Sequence, residues 1–433
     1  MTIERQNSIS TEQANPGGPV WLHPPKSRFR IYSTPGQYFS LAKAIISGKM
    51  APGAAIQELE QQLVSRFDVP HAIAVNQGRV GIYLAIKAVV TPDKPKVVMS
   101  PYTIYDVVNM VIAAGGEPVF ADIDQASCNM DPHEVAKLID DETCAVMVTH
   151  LHGLAADIEA IASLCKKRGV MLIEDSAQAF GVRKGGKYLG TFGDIGIYSF
   201  GLFKTVNSFF GGVVTCQDKD LADKIRSLQA DFSAPDRKRM IKRLIQGLVF
   251  EIASHPIVFK LFTFWVFRYG VLSGNEHIQK VTKSEMNPVF RDQLPNAYKE
   301  SMSNMQAQMI VDQLDNIEAE QQARIGIAKL YHEALGDRNS ITTPQTSPID
   351  GNGCLAYPIQ VDNRQEVLKT LMKQGRDCAP QHLHNCADLD IYKKWYRDCP
   401  NARKTSNSVI LLPTYPRYGV KEALRNIAVL KNI

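Results

Sequence analysis

Short runs of β-branched and aliphatic residues alternate with helix-length amphipathic stretches along the first half of the chain. The runs Ala72–Val75, Val97–Met99, Pro118–Ala121, Ala145–Val148, Met171–Ile173, Ile195–Ser199 and Val213–Cys216 read as buried strands. The stretches Val80–Val89, Asp106–Ala114, Pro132–Ile139 and Ile158–Arg168 carry helical spacing. Near-continuous apolar strands separated by helices predict a mostly parallel sheet covered on both faces, an α/β fold. Ligands of such sheets sit at the carboxyl ends of the strands.

On either side of this region the pattern changes. Residues 1–33, with Asn15-Pro16-Gly17-Gly18-Pro19, read as a flexible arm, and residues 34–235 as the large domain. Between about 36 and 68 the spacing is helical, interrupted by Gly48 and Pro52-Gly53. Residues 236–290 form a basic and then strongly apolar insert. A long helical stretch, Ser303–Leu335, opens the last region, and a strand (Leu355–Gln360) and a helix (Gln365–Gln374) predict a smaller α+β domain over 291–433.

The 433 residues allow two sizeable cores. A net charge of +5 is too small over this length to argue for nucleic acid, and no nucleic-acid module is present. Eight irregularly spaced cysteines and a polar, proline-bearing start favour a reduced, cytoplasmic setting over a disulfide framework. The group Cys378, His382, His384 and Cys386 matches no usual zinc spacing, so it reads as a loop with incidental thiols and imidazoles, and no metal is expected.

Three segments fall at strand ends. In Asn76-Gln77-Gly78-Arg79, a glycine opening a helix exposes backbone N–H groups to a phosphate, although a plain β–α turn looks the same. In Ile173-Glu174-Asp175-Ser176-Ala177-Gln178, an acid closing an apolar strand either pairs with a buried cation or caps the next helix. A protonated pyridine nitrogen is such a cation. In Tyr198-Ser199-Phe200-Gly201-Leu202-Phe203-Lys204, apolar neighbours favour a neutral, nucleophilic lysine, against the commoner lysine whose head reaches water.

A phosphate turn, an acid about 97 residues later and a lysine 29 beyond it resemble fold-type-I pyridoxal-phosphate enzymes. More closely, the chain resembles the DegT/DnrJ/EryC1/StrS sugar aminotransferase family. The residues that carry this are Ser47-Gly48-Lys49 with Pro52-Gly53, Asn109, Gly115, Pro118 and Asp122, His150-Leu151-His152-Gly153 and Glu174–Gln178. Gly185, Gly190, Gly193-Asp194, Ser199-Phe200 with Lys204, Gly211-Gly212 and Ser406–Pro416 continue the match.

The resemblance implies pyridoxal 5′-phosphate on Lys204 as Schiff-base and proton-shuttling lysine, with Asp175 at the pyridine nitrogen and Gln178 near O3′. It places the phosphate on Ser199 and the Gly78–Arg79 backbone, and it implies a homodimer whose partner completes the site. Its amino donor would be glutamate and its acceptor a keto group on a nucleotide-linked sugar.

Several positions depart from the family's pattern. Arg79 replaces a small hydroxyl residue, and is expected to meet the phosphate or the substrate. Ile104 replaces the ring-stacking aromatic, leaving Tyr102 or Tyr105 as substitutes. Phe209-Phe210 replaces Gly-Glu, and Lys299 and Ser301 stand where a partner-subunit Asn and an Arg are usual.

The insert carries Arg237, Lys238, Arg239, Lys242 and Arg243, then Leu244–Leu272. Charged residues and a proline interrupt any window of ~20 residues, so it is not a spanning helix. It suits an element lying in an anionic membrane interface at the inner face of the membrane, or one packed on the parent domain or across the dimer.

An acceptor linked to lipid is therefore the alternative to a sugar nucleotide. The family's dehydratases, which carry histidine for the lysine, are disfavoured by Lys204. A non-catalytic membrane-associated regulator is the reading outside enzymology. A visible absorbance band lost on adding glutamate separates enzyme from regulator.

Overall fold

The computed structural model describes residues 25–31, 33–48, 50–274, 287–336, 338–345, 351–380 and 382–433. The turn formers of residues 15–19, and Lys49, lie outside the described residues. Residues 25–31, expected within the arm, are fastened to the smaller domain: Arg28 pairs with Asp377 at 2.7 Å, and Tyr415 donates to the Ser27 carbonyl at 2.7 Å.

The predicted alternation is realised as a seven-stranded sheet. Its strands are β1 (His71–Val75), β2 (Lys96–Met99), β3 (Glu117–Phe120), β4 (Thr143–Thr149), β5 (Met171–Asp175), β6 (Ile195–Ser199) and β7 (Gly212–Cys216). The spatial order is β1-β7-β6-β5-β4-β2-β3, and every pairing is parallel except the two made by β7. Because β7 runs backwards, its first residue Gly212 lies opposite both Val75 and Ser199, the last residues of β1 and β6. The carboxyl ends of β1, β4, β5 and β6 and the start of β7 therefore share one edge. All seven residues of β4 are buried, as a central strand covered on both faces requires.

The flanking helices are α1 (Pro35–Ser47), α2 (Ala54–Phe67), α3 (Gly78–Val89), α4 (Tyr105–Ala113), α5 (Pro132–Leu138), α6 (Ile158–Arg168) and α7 (Lys219–Leu228). Gly48 in the left-handed region ends α1, where the sequence placed a break. The stretch Ser303–Leu335, expected as one helix, is interrupted. Helices Asn304–Val311 and Ile317–Leu335 are joined by a 3₁₀ turn, Leu314–Asn316. At the break the Gln313 amide turns to the Asn207 carbonyl at 2.8 Å, and both Leu314 and Ile317 reach the core.

The smaller domain is a three-stranded antiparallel sheet of Ala356–Gln360, Ala379–Pro380 and Val409–Pro413, covered by Ile317–Leu335, Arg364–Lys373 and Val420–Leu430. A short pairing of His384–Asn385 with Tyr102–Thr103 brings this domain's chain back to the active edge of the large sheet. All eight cysteines are buried free thiols.

Glu174 and Asp175 are adjacent but serve opposite faces of β5. Glu174 is fully buried and accepts from Gly190 N–H at 2.9 Å, Gly193 N–H at 2.6 Å and His150 Nε2 at 3.0 Å. Since His150 Nδ1 accepts from Ala156 N–H at 3.2 Å, the ring proton sits on Nε2 and is given to Glu174. Glu174→Ala would strand three buried N–H groups, those of Gly190, Gly193 and His150 Nε2. We expect a loss of about 3 kcal/mol, measured by urea denaturation.

Candidate active site

Three strand ends build a cup. A Cβ added at Gly78, the first residue of α3, would lie 2.8 Å from Ser199 Cβ, and one at Gly212 would lie 2.7 Å from Gly78 N. Only glycine allows β6, β7 and the α3 N-terminus to approach so closely, leaving the first-turn N–H groups beside the Ser199 hydroxyl. This arrangement fits a phosphate. The Lys204 loop follows immediately. A Cβ at Gly201 would be 3.9 Å from both Lys204 Cγ and Ser199 Oγ, and Lys204 N–H donates to the Gly201 carbonyl at 3.0 Å.

Asp175 closes β5 at 4% exposure. Burial raises its pKa above the usual carboxylate range, against the pull of the Ala177 N–H, Lys204 and a Thr149 hydrogen bond. Burial disfavours the charged form of this carboxyl, and a pyridinium beside it would favour that form. Gln178, three residues on, uses its side-chain carbonyl to accept from His152 N–H at 2.9 Å.

Gly78, Ser199, Lys204, Asp175 and Gln178 are thus gathered around one edge. Arg79 lies in a neighbouring cluster around Asp106, with Tyr105 close to its Arg291, and Lys299 is not part of it. Arg79 forms an ion pair with Asp106 and meets the Tyr298 hydroxyl at 3.3 Å. Arg291 pairs with the other Asp106 oxygen at 2.6 Å, and Tyr298 donates to Asp106 at 3.0 Å. Burial opposes charge on Asp106, but Arg79, Asn109 and Arg291 outweigh it and lower its pKa. The Arg79 side chain is therefore committed to this carboxylate, while its backbone stays in the first turn of α3. Tyr105 opens α4 and its carbonyl accepts from Tyr392 at 2.7 Å. Lys299 is exposed, and its carbonyl accepts from Ser233 N–H at 3.2 Å. Ile104 is half-buried as the N-cap of α4, and Tyr102 is buried with its ring 6.1 Å from that of His152.

Sequence reasoning gave no role to two imidazoles that the fold brings here. Burial, then His382, pushes His152 down to about 3, and burial, then Lys204 and His384, pushes His382 down to about 4. Both are neutral near pH 7. In the sequence His152 belongs to His150-Leu151-His152-Gly153, and His382 suggests only a metal ligand. Among the described residues no three His, Cys, Asp or Glu side chains gather as a metal site. Cys378 belongs to the smaller domain's core, whereas Cys386 lies against Thr103.

A phosphate cup, a buried acid and a lysine at one edge of this sheet define a fold-type-I pyridoxal-phosphate transferase. The chain belongs to the DegT/DnrJ/EryC1/StrS aminotransferase family, which it matches over residues 38–253 and 270–430. It is a pyridoxal-phosphate-dependent aminotransferase.

The chain is 26% identical to the spore coat polysaccharide biosynthesis protein SpsC of Bacillus subtilis, over 93% of this chain and 98% of that one. It is 35% identical to GDP-perosamine synthase of Vibrio cholerae, over 41% of this chain and 48% of that one. The sugar aminotransferase CalS13 from Micromonospora echinospora shares the fold with a TM-score of 0.72 at 18% identity, covering 93% and 98% of the two chains.

Gly78→Ala should weaken pyridoxal phosphate binding about a hundredfold, because its methyl fills the cup. Ser199→Ala, which removes one bond to a charged group, should cost roughly tenfold. Absorbance titration of the cofactor measures both.

Proposed function

We propose that this aminotransferase carries an amino group from glutamate to a keto carbon of a nucleotide-linked sugar. The observation that carries the reading is the meeting of Lys204, Asp175, Ser199 and the α3 N-terminus at one strand edge. Resemblance to a GDP-perosamine synthase supports the acceptor class.

Pyridoxal phosphate supplies the electron sink for bond breaking at the amino-bearing carbon. Asp175 holds a proton on the pyridine nitrogen. Ser199 Oγ and the N–H groups of Gly78 and Arg79 bind the phosphate. Lys204 Nζ would hold the cofactor and would move the proton at the substrate carbon. Gln178 orients the ring's hydroxyl edge, and His152 and His382 stay uncharged beside it. In the first half-reaction the donor exchanges its amino group for an oxo oxygen, and in the second the acceptor makes the reverse exchange. No external oxidant is needed.

The working unit is a homodimer, in which exposed Lys299 serves the phosphate of the second copy, and the setting is the cytoplasm. A second reading keeps this chemistry with a lipid-linked acceptor. It is favoured by the aromatic contact between Phe203, beside Lys204, and Phe250 of the insert, with ring centroids 5.2 Å apart. Comparing amination of sugar nucleotides with that of lipid-linked sugars decides between the two.

Borohydride reduction of the holoenzyme followed by peptide mapping should place the cofactor on Lys204; label on another lysine overturns the assignment. Lys204→Ala should lose activity by ~10²–10⁴-fold or more with its fold intact. Asp175→Asn should retain cofactor yet fall on the order of 10²–10³-fold in rate, as expected when one preorganised charge is removed. Near-normal turnover in that variant would leave Asp175 only its turn contact with Ala177 N–H, since no helix directly follows β5 among the described residues.

A further inference from the structure

The insert begins as α8 (Arg237–Ser254), breaks at His255-Pro256 and continues to Leu272, the two segments meeting at a 61° bend. No single helix among the described residues is long and apolar enough to cross a membrane. Residues 275–286, also within the expected insert 236–290, lie outside the described residues.

What distinguishes these helices is the direction of their amphipathy. The inward side is fully engaged. Gly247 sits so close to Phe209 that a Cβ would lie 2.3 Å from its ring, and Phe250 packs on Phe29 and Phe203. Phe259 and Phe264 bury against Met372, and Arg268 donates to the Met372 and Lys373 carbonyls.

The outward side is apolar. Ile241, Ile245, Leu248, Val249 and Ile252 recur at helical spacing on the exposed face of α8. Beyond the bend, Ile257 (63% exposed), Leu261, Phe262 (67%), Trp265 (42%), Val266 and Tyr269 form a second such stripe.

Charge says what covers it. From Arg237 to Gly274 the sole acid is Glu251, and it faces inward to Arg30 at 3.4 Å. Arg237, Lys238, Lys242 and Lys260 are exposed and pair with no carboxylate among the described residues, while Arg239 is taken by Glu300 and Arg243 stacks on Phe210. Lysines at the margin of an outward apolar stripe, whose flanking acids are only the inward Glu251 and the N-cap Asp236 engaged by Arg239 N–H, match an anionic lipid surface better than the mixed-charge rim of a protein interface.

We propose that α8 and the segment Pro256–Leu272 form a monotopic anchor, whose outward stripes sink into the headgroup boundary of an anionic bilayer. This anchor is independent of which acceptor the enzyme uses.

Flotation of the full-length holoenzyme on phosphatidylcholine vesicles with and without phosphatidylglycerol tests it. Wild-type protein should float with the phosphatidylglycerol vesicles at low salt and progressively less as salt rises. Replacing Lys238 and Lys242 by Gln should weaken partition about thirtyfold, each lysine near such a surface contributing about 1 kcal/mol. The triple variant Ile257→Ser, Phe262→Ser, Trp265→Ser should weaken it at least a hundredfold, as each loses more than ~1.5 kcal/mol of apolar burial. These side chains are exposed, so that variant should keep its cofactor absorbance and its elution volume. Protein that ignores both vesicles, floats equally on both, or loses its oligomeric state in the triple variant overturns the anchor, the last outcome assigning the stripes to a second copy of the chain.

Discussion

A carboxylate buried at the end of a strand must find a cation or keep its proton, and Asp175 sets this condition for the whole site. Thr149, Ala177 and Lys204 partly offset its burial without restoring an ordinary pKa. The remaining demand is for a positive group inside the edge of the sheet. That edge exists because β7 runs against its neighbours, so its glycine start meets the ends of β1 and β6. A cup that fits a phosphate and an acid that fits a pyridinium are consequences of one strand order. The distance between them is fixed by the sheet rather than by loops, which suits a cofactor whose two ends must be held at once.

The sheet and its order of elements were legible in the sequence because parallel strands buried on both faces are nearly uninterrupted apolar runs, as in Thr143–Thr149. The candidate cofactor residues stand out in the sequence through resemblance at strand ends, and the fold gathers Gly78, Asp175, Ser199 and Lys204 at one edge. What remained hidden was the division of labour within each motif. Glu174 and Asp175 look alike in sequence, but strand alternation sends one to backbone N–H groups and the other to the site. Asp122, quoted in the same match, caps the helix Pro400–Ser408 by accepting from Ala402 N–H at 2.9 Å and Asn401 N–H at 3.0 Å. His152 and His382 come together only through the pairing of His384–Asn385 with Tyr102–Thr103, a contact spanning nearly three hundred residues that no local pattern announces.

Arg79 shows how a departure from a family pattern can be absorbed locally. An extra cation at the mouth of a phosphate cup invites a direct contact with the anion. Asp106 intercepts it, and the same carboxylate takes Arg291 and Tyr298. Asn109 extends the stitch by donating to the Val289 carbonyl at 2.8 Å and accepting from Arg291 N–H at 3.2 Å. The chain returning from the insert is thereby pinned to α4. Its continuation carries Lys299, so the position of that lysine depends on the same buried acid.

Periodicity alone could not tell which side of the insert faces the protein, since an apolar stripe reads identically whether it points to a core or to lipid. The structure separates the two by size and crowding. The inward side of α8 places Gly247 under Phe209 and Phe250 between Phe29 and Phe203, so the helix is seated tightly on the loop that bears Lys204. A helix seated by close packing has one rotation about its axis, and that rotation leaves Ile241, Ile245, Val249 and Ile252 outside. The outward stripe is therefore not a helix awaiting a better fit against its own domain. Any surface that covers it acquires a fixed orientation toward the Lys204 loop, because the two share one packed aromatic cluster.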